Sequence, residues 1–246
     1  MRLPWGHRPE PVVRSHSGYW DCHCHILPGI DDGAPDMETA VAMVRLAAEH
    51  GTGTMVATPH AIGGLYDTTR DQVLRVLEEL RTACAAEGLT MRLLPGQEIA
   101  MESDLAARLR GGELCTLADT GRAALIEVPA VGFPPYWERA FFDLTLAGIT
   151  PVVAHAERTT LTRDAALATR VVELGGRLQV NSRVLGAPGP VQRAVHGWVR
   201  NGWVACLGSD AHDLRRRPPV LDEAVRAAPR LDLDALLFGP ELLRLP

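Results

Sequence analysis

Short apolar segments alternate with longer amphipathic segments along most of the chain. In segment 69–87 the apolar side chains recur at the three- and four-residue spacing of one helical face: Val73, Val76, Leu77, Leu80 and Cys84. Thr69 and Gln72 occupy the positions of a capping box at the start of this segment. Comparable segments predict further helices over residues 37–49, 102–109, 136–147, 163–174 and 190–201.

Glycines mark the places where the predicted helices give way to apolar runs. Five such junctions fall at Gly51, Gly88, Gly148, Gly175 and Gly202. Glycine just past a helix end adopts left-handed backbone without steric cost. The apolar runs predict seven strands, over residues 19–23, 54–58, 91–97, 123–128, 150–155, 177–181 and 203–209. Because strands and helices alternate, we expect a parallel sheet with right-handed crossovers, closed or nearly closed into an α/β barrel.

The length of 246 residues and the ordinary composition, 46% hydrophobic and 22% charged, suit one large domain. We expect this domain over residues 18–246, after a flexible tail over residues 1–17. The tail has no apolar core segment and does not resemble a secretory signal. No run approaches the roughly 20 apolar residues that span a bilayer, so no membrane insertion is expected. Residues 231–246 form either a closing helix or an assembly segment.

The net charge and the cysteine content limit the classes of partner and the cellular compartment that fit this chain. The net charge of −5 argues against nucleic acid as a partner. Five cysteines without a repeated spacing predict a reducing compartment, the cytoplasm, rather than a disulfide framework. The chain contains no lysine, which excludes every mechanism that requires one.

Residue types that bind metals follow the predicted strands. His23 and His25 are two positions apart, so both imidazoles project from one face of a strand. Cys22 and Cys24 alternate with these histidines and project to the other face, where they form the opposite wall as buried structural cysteines. Histidines and acids also end five other strands: His60, Glu98, Glu127, His155 and Asp210. A lone histidine at a strand end is more often structural, but in a barrel these ends share one rim and together predict a metal site.

Asp32 and His212 complete a set of nine candidate ligands. Nine ligands are too many for one ion, and they suit two or three ions that share bridging carboxylates. The mixture of imidazoles and carboxylates favours manganese, iron or zinc over calcium. Such clusters activate water as a nucleophile and stabilise in-line displacement at phosphorus.

These motifs resemble the PHP (polymerase and histidinol phosphatase) superfamily, and most closely its manganese-dependent protein-tyrosine phosphatases of capsular and exopolysaccharide biosynthesis. The resemblance spans residues 19–228 and rests on segments 23–34, 57–60, 95–98, 209–212 and 217–219. It implies a distorted TIM-like (β/α)7 barrel, the PHP fold, which often assembles into homo-oligomers. It also implies that the substrate is a phosphotyrosine protein, the tail of a polysaccharide-export tyrosine kinase.

The resemblance implies the same metal ligands as the strand-end argument: His23, His25, Asp32, His60, Glu98, Glu127, His155, Asp210 and His212. It places phosphate-binding guanidinium groups at Arg158 and Arg217, and such groups grip two phosphate oxygens at once. The alternative for Arg217 is one of three consecutive solvated arginines. The expected mechanism is attack of a metal-bound hydroxide on a phosphomonoester, with Asp210 or His212 assisting the leaving group.

Three departures from the family pattern fall at the expected mouth of the site. Ala61 stands where the family often has a second histidine, and segment 155–159 reads His-Ala-Glu-Arg-Thr instead of His-Pro-Glu-Arg-Tyr. Arg183 follows Gln-Val-Asn-Ser at 179–182 where a small apolar run is expected. The candidate ligands are intact, so the departures bear on the substrate rather than on hydrolysis.

Other enzyme classes need residues that this chain lacks. A cysteine-dependent tyrosine phosphatase needs an arginine six residues after its cysteine, and no cysteine in this chain has one. A binuclear amidohydrolase needs a carboxylated lysine, so only mononuclear variants of that class survive. Three alternatives stay open: a small-molecule phosphatase such as histidinol phosphatase, a PHP-type phosphodiesterase, and a metal-binding scaffold without turnover.

Overall fold

The computed structural model describes residues 18–237 and 240–243. The chain begins with β1 (Tyr19–Cys24), α1 (Met37–Glu49), β2 (Thr52–Ala57) and the two-residue strand β3 (His60–Ala61). It continues with α2 (Arg70–Ala86), β4 (Arg92–Pro95), β5 (Glu98–Ala100), α3 (Leu105–Arg110) and β6 (Ala123–Glu127). The remaining elements are α4 (Trp137–Leu146), β7 (Thr150–Val153), α5 (Ala165–Glu173), β8 (Arg177–Asn181), α6 (Pro190–Arg200), β9 (Val204–Gly208), α7 (Asp222–Ala227) and α8 (Asp234–Leu237).

The described strands pair in parallel in two sheets, of order β1-β2-β4 and β3-β5-β6-β7-β8-β9. Because β3 and β5 follow β2 and β4 after two-residue breaks, the nine described strands form seven β-units.

The last strand returns to the first. The N–H of Asp210 donates to the carbonyl of His23 at 2.7 Å. The carboxylate of Asp21 accepts from the N–H of Ser209 at 2.8 Å and from its hydroxyl at 2.5 Å. The strands therefore curl into a distorted seven-unit α/β barrel, which confirms the predicted fold class.

The helix boundaries follow the sequence signals. The hydroxyl of Thr69 accepts a hydrogen bond from the N–H of Gln72 at 3.3 Å, which caps α2 as expected. Asp36 and Asp164 cap α1 and α5 in the same way. The five glycines that follow helices have φ between 69° and 84°, the left-handed conformation predicted for them.

Side chains alternate between the inside and the outside of the barrel. Leu125, Val152 and Cys206 belong to one buried cluster that draws on several strands and fills the barrel interior. Their chain neighbours face outward and pack against α3 to α6 in the largest cluster, which also contains the fully buried Phe141. A further cluster lies between α1, α2 and the first sheet. This alternation carries inward-facing polar residues of the strand ends to one rim.

The prediction of strict alternation in β1 is wrong. Asp21 pairs with Met55 whereas Cys24 pairs with Ala57, so β1 has one more residue than β2 between these points. Such a bulge re-aims the side chains that follow it. Cys22 therefore packs inside the barrel and Cys24 outside, and the two cysteines do not form one wall. Both are buried, as predicted.

Two further expectations need adjustment. The single strand predicted over residues 91–97 is broken, and β5 begins only at Glu98. In the C-terminal segment, α8 packs Leu237 into the largest cluster and Leu243 lies in the interior cluster, which favours the closing helix over the assembly segment. The tail predicted over residues 1–17 lies outside the described residues. Within the described ranges, no helix combines the length and the apolarity that crossing a bilayer demands.

Candidate metal centre

His23 in β1 and His25 just after β1 face the same space at the C-terminal rim. The Nε2 atoms of His23 and His25 lie 3.2 Å apart, and both rings are fully buried. A neutral imidazole offers one lone pair, so two nitrogens at this distance are suited to binding a common cation. The register shift between Asp21 and Cys24 lies in the segment that contains His23 and directly precedes His25.

The carboxylate of Glu98 lies at the centre of the histidines. The pairing of β3 with β5 sets His60 directly opposite Glu98. Oε2 of Glu98 is 3.2 Å from Nε2 of His23, 3.3 Å from Nε2 of His25 and 3.2 Å from Nδ1 of His60. Oε1 of Glu98 is 2.8 Å from Nε2 of His155. One buried carboxylate thus faces four imidazoles.

Neither oxygen of Glu98 has a hydrogen bond of acceptable geometry within the described structure, in spite of these short distances. The buried Nδ1 of His60 also lacks one. A buried polar atom without a partner costs about 1–3 kcal/mol, and a cation between the carboxylate and the imidazoles would satisfy these atoms. Burial raises the pKa of Glu98, but the charge of His23 and the contact with His155 lower the pKa well below its ordinary value.

Glu127 brings a second carboxylate from the end of β6. Its oxygens lie 3.7 Å from Nδ1 of His60 and 3.7 Å from Nε2 of His155. Burial, and then the negative charge of Glu98, raise the pKa of Glu127 above its ordinary value. Two carboxylates so close together stay ionised when positive charge is added between them, which favours a cation at this point.

Two candidate ligands have unusual backbone conformations. His155 follows β7 with φ 29°, and Asp210 follows β9 with φ 54°. Residues other than glycine avoid this region, at a cost of about 1–3 kcal/mol each, and such strain clusters at functional sites. Oδ1 of Asp210 lies 3.8 Å from Nε2 of His23 and 3.7 Å from Nε2 of His25. The strained turns carry both side chains to the cluster.

Asp32 and His212 lie nearer the mouth. Oδ1 of Asp32 is 3.5 Å from Nε2 of His60 and 3.4 Å from Nε2 of His212. The Asp32 side chain is 44% exposed, whereas that of His212 is 4% exposed, so Asp32 forms the solvent side of the cluster. Burial, and then the charge of His25, lower the pKa of His212 to about 4, which keeps this imidazole neutral at pH 7.

Both predicted arginines lie close to carboxylates of the cluster, and both approach Asp210. A terminal nitrogen of Arg158 lies 2.6 Å from Oδ2 of Asp210. Arg217 approaches Asp32 and Asp210, each at 3.8 Å. The structure therefore brings all nine predicted ligands and both predicted arginines to one rim. Arg217 faces the cluster, unlike a merely solvated arginine.

Residues that hold the ligands were missed by sequence reasoning. Asp31 accepts hydrogen bonds from Nδ1 of His25 at 2.7 Å and from the N–H of His60 at 3.0 Å. Burial raises the pKa of Asp31, but the bond and the charge of His25 lower it below its ordinary value. Gln179 and Asn181 face inward from β8. The available signal was the polar-apolar alternation of β8, since these two buried polar residues flank Val180.

The donor chemistry fits bound metal ions. Three groups of side chains have ligand atoms within 4.8 Å of one another. They are His25 with Asp32, His60 and His212; His23 with His25 and Asp210; and His60 with Glu98 and Glu127. The groups share His25 and His60, as expected where neighbouring ions are held by common residues. Imidazole and carboxylate donors together suit manganese, iron or zinc.

The five cysteines do not belong to this chemistry. All are free and buried. Burial raises the pKa of Cys115 to about 12, and it raises the pKa of Cys22 and Cys24 well above the ordinary range. A protonated thiol is a poor nucleophile and a poor ligand, so these residues support the fold alone.

Known proteins are similar to this chain in sequence and in fold. Tyrosine-protein phosphatase YwqE of Bacillus subtilis is 36% identical over 200 residues, which cover 80% of this chain and 78% of YwqE. Tyrosine-protein phosphatase CpsB of Streptococcus agalactiae serotype III is 26% identical over 214 residues, which cover 84% of this chain and 88% of CpsB. A similar fold is found among the crystal structures of YwqE from Bacillus subtilis and CpsB from Streptococcus pneumoniae, which are described as unique metal-dependent tyrosine phosphatases. The matching chain has a TM-score of 0.80 and 33% sequence identity, and the match covers 91% of this chain and 89% of that chain.

The match to a family extends over nearly the whole barrel. The family model for capsular polysaccharide synthesis, CpsB/CapC, matches residues 19–231. This range includes every candidate ligand and both arginines of the rim. The chain therefore belongs to the CpsB/CapC family of capsular polysaccharide synthesis proteins.

Proposed function

We propose that this chain is a metal-dependent phosphomonoesterase that removes phosphate from phosphotyrosine on a protein of capsular or exopolysaccharide synthesis. The buried Glu98 carboxylate carries the proposal, because it faces four imidazoles and has no hydrogen bond of its own among the described residues. The named activity of YwqE and CpsB supports the tyrosine phosphatase assignment.

The proposed metal centre holds two or three manganese ions. Their ligands are the nine residues of the rim: His23, His25, Asp32, His60, Glu98, Glu127, His155, Asp210 and His212. When bound, such ions lower the pKa of coordinated water and neutralise phosphate charge. The mixed imidazole and carboxylate donors support manganese, while iron and zinc suit the same donor types.

The two arginines bind the phosphate in this proposal. Arg158 and Arg217 approach the cluster from different loops, so together they present two guanidinium forks to one anion. A terminal nitrogen of Arg158 pairs with Oδ2 of Asp210, and the side chain is 42% exposed, so the rest of its fork is accessible to a phosphate oxygen. Two guanidinium forks on one anion would fix the orientation of the ester, which displacement of its phenolic oxygen requires.

The leaving group needs little assistance. A tyrosine phenolate has an ordinary pKa of about 10, so it departs with less need of protonation than an alkoxide. Asp210 and His212 both face the cluster and are the groups placed to move a proton. The resemblance to the family supports a polysaccharide-export tyrosine kinase as the substrate protein, and it supports assembly of this chain into homo-oligomers.

The experiment is phosphate release from a phosphotyrosyl peptide beside histidinol phosphate, with manganese and with added chelator. We expect chelator-sensitive turnover that favours the peptide. Preference for histidinol phosphate would move the activity to small molecules, and metal binding without turnover of either would indicate a scaffold. Glu98→Gln serves as the inactive control, because it removes the central negative charge and keeps the side-chain size.

A further inference from the structure

A second cavity lies beside the metal centre. It has a volume of about 400 Å³, within the usual range for ligand sites. Ser182, Arg183, Ser209 and Arg216 line one side, and Glu223 is the acidic residue among the lining side chains. None of these residues belongs to the nine candidate ligands, so the cavity is separate from the centre.

The cavity and the metal centre share a wall. A guanidinium nitrogen of Arg183 lies 3.4 Å from the carbonyl oxygen of Ser209, to which it donates. Ser209 lines the cavity and directly precedes Asp210, whose carboxylate faces the metal centre. Arg183 is therefore hydrogen-bonded to the residue that directly precedes a candidate ligand.

The two sites also share one rigid turn. Oδ1 of Asp213 accepts hydrogen bonds from the N–H groups of Arg215 and Arg216 at 2.6 and 2.5 Å. The N–H of His212 donates to the carbonyl of Arg217 at 3.0 Å. In this turn Arg217 points to the metal centre, whereas Arg216 lines the cavity. Two adjacent arginines of one turn thus face two neighbouring places, the metal centre and the cavity.

The charge of the cavity selects the kind of anion. Among the described residues, neither Arg183 nor Arg216 forms an ion pair with a carboxylate. With Glu223 included, the lining carries two positive charges and one negative charge. A carboxylate with one negative charge neutralises the surplus. A second phosphate, with a charge of −1.5 to −2, would exceed it.

We propose that this cavity is a subsite for the carboxylate of an aspartate or glutamate that flanks the phosphotyrosine in the substrate, held by Arg183 and Arg216. The proposal rests on the proposed tyrosine phosphatase function. Successive residues of an extended peptide are about 3.3 Å apart, so a residue one or two positions from the phosphotyrosine reaches the shared wall. Arg183 is one of the departures from the family pattern, so the subsite would give this chain its own preference.

The test compares pairs of phosphotyrosyl peptides that differ only in acidic or amide residues beside the phosphotyrosine. An exposed ion pair contributes a factor of about 1.5 to 5, so two pairs predict a preference of roughly 2- to 25-fold in kcat/KM for the acidic peptide, chiefly through KM. The double variant Arg183→Ala with Arg216→Ala should bring that ratio close to one. Arg215→Ala, on the same turn but outside the cavity lining, should keep the wild-type ratio.

A variant at the acidic lining residue tests the role of charge in the cavity. Glu223→Gln removes the one acidic lining residue, so it should strengthen the acidic preference and improve binding of a peptide with a second phosphate. An acidic-to-amide ratio that is the same in the wild type and the double variant would overturn the subsite. So would a wild-type preference for the doubly phosphorylated peptide over the acidic one.

Binding measurements separate failure of the subsite from failure of the function. Fluorescence polarisation of the same labelled peptides should show tighter binding of the acidic peptide to the wild type and equal binding of both to the double variant. Absence of turnover with every peptide would contradict the tyrosine phosphatase function. The peptide affinities measured by fluorescence polarisation would still test the subsite in that case. Equal turnover and equal binding of both peptides would reject the subsite alone.

Discussion

Nδ1 of His23 lies 2.9 Å from the side-chain oxygen of Gln179, although 156 positions separate the two residues. The same oxygen accepts the N–H of His155 at 2.6 Å. Because an amide oxygen only accepts, Nδ1 of His23 carries a proton, and when the ring is neutral its lone pair is on Nε2, facing the centre. Gln179 also donates to Asn181 at 3.1 Å, which in turn donates to Asp210 at 3.0 Å. Strand β8, which contributes none of the candidate ligands, thus orients three of them.

Gln179→Leu should weaken metal binding by roughly 10- to 100-fold, the usual effect of losing a group that orients a ligand. Gln179→Glu keeps the acceptor for His23 and loses the donor to Asn181, so we expect a smaller loss. Competition with a metal-sensitive chelating dye measures both affinities.

Gln97→Leu is the matched control. Gln97 is equally buried, and its hydrogen bonds go to Thr68 and to the N–H of Cys115 rather than to a ligand. This variant should lose stability and keep most of its metal affinity. Equal losses of affinity in the Gln179 and Gln97 variants would mean that Gln179 acts through general stability alone.

Gly208→Ala should disturb both stability and metal binding. A Cβ at this position would lie 2.5 Å from Cβ of His23 and 3.0 Å from the side-chain nitrogen of Gln179. Overpacking of this kind costs about 1–3 kcal/mol, and for a chain of this size that lowers Tm by roughly 2–12 °C. Calorimetry and dye competition check the two effects.

Gly197→Ala serves as the control for that variant. Gly197 lies inside α6, and a Cβ there meets nothing within 4 Å. Because alanine favours helix more than glycine, this substitution should leave stability unchanged or raise it by up to about 1 kcal/mol. A Gly208→Ala protein as stable and as metal-competent as Gly197→Ala would contradict the close packing described for His23.

Metal binding should release protons near neutral pH. Burial lowers the pKa of His23 and His25, but the charge of Glu98 on His23 and the bonds of Asp31 and Glu98 to His25 outweigh it. The net pKa values in the metal-free chain are about 9 for His23 and about 10 for His25. A cation requires both rings to be neutral, so binding at pH 8 should release up to about two protons. Calorimetry in buffers of different ionisation enthalpy counts them, and the number released should fall as the pH rises through about 9 to 10.

The same titrations set how the stability of the metal-free chain depends on pH. Because the two pKa values lie above the unfolded value of 6.5, the native state binds protons more tightly. The stabilisation by these two rings is complete below pH 6.5 and is lost as pH rises through about 9 to 10. Urea unfolding with chelator present should therefore show falling stability over this window. A flat profile there would contradict protonated rings.

Arg158→Ala should lower kcat/KM by about 100- to 1000-fold if the guanidinium holds charge that develops on the phosphate. Arg158→Lys should restore part of the activity, because an ammonium supplies the charge without the planar fork. Arg163→Ala, an exposed arginine five residues further on, should change little. Steady-state kinetics with an aryl phosphate distinguish the three.

The convergence of the site could be predicted because parallel strands deliver their C-terminal ends to one rim. That argument identifies His60, Glu98 and His155 from the sequence alone. The bulge in β1 and the breaks before His60 and Glu98 could not be predicted, since each depends on pairing with a strand distant in sequence. The amide oxygen of Gln179 serves residues from β1 and from the end of β7, and such a shared partner leaves only a weak polar signal in one strand.

The junction between β1 and β9 determines when the metal centre can form. Asp21 and Ser209, hydrogen-bonded across that junction, are 188 positions apart. A chain emerging from the ribosome therefore exposes His23 and His25 long before it presents Asp210. The complete set of candidate ligands can therefore assemble only after the last strand has been synthesised. A cation held by residues of both strands would close a loop of most of the chain, and the entropy of closing so long a loop is a cost that its binding would have to offset.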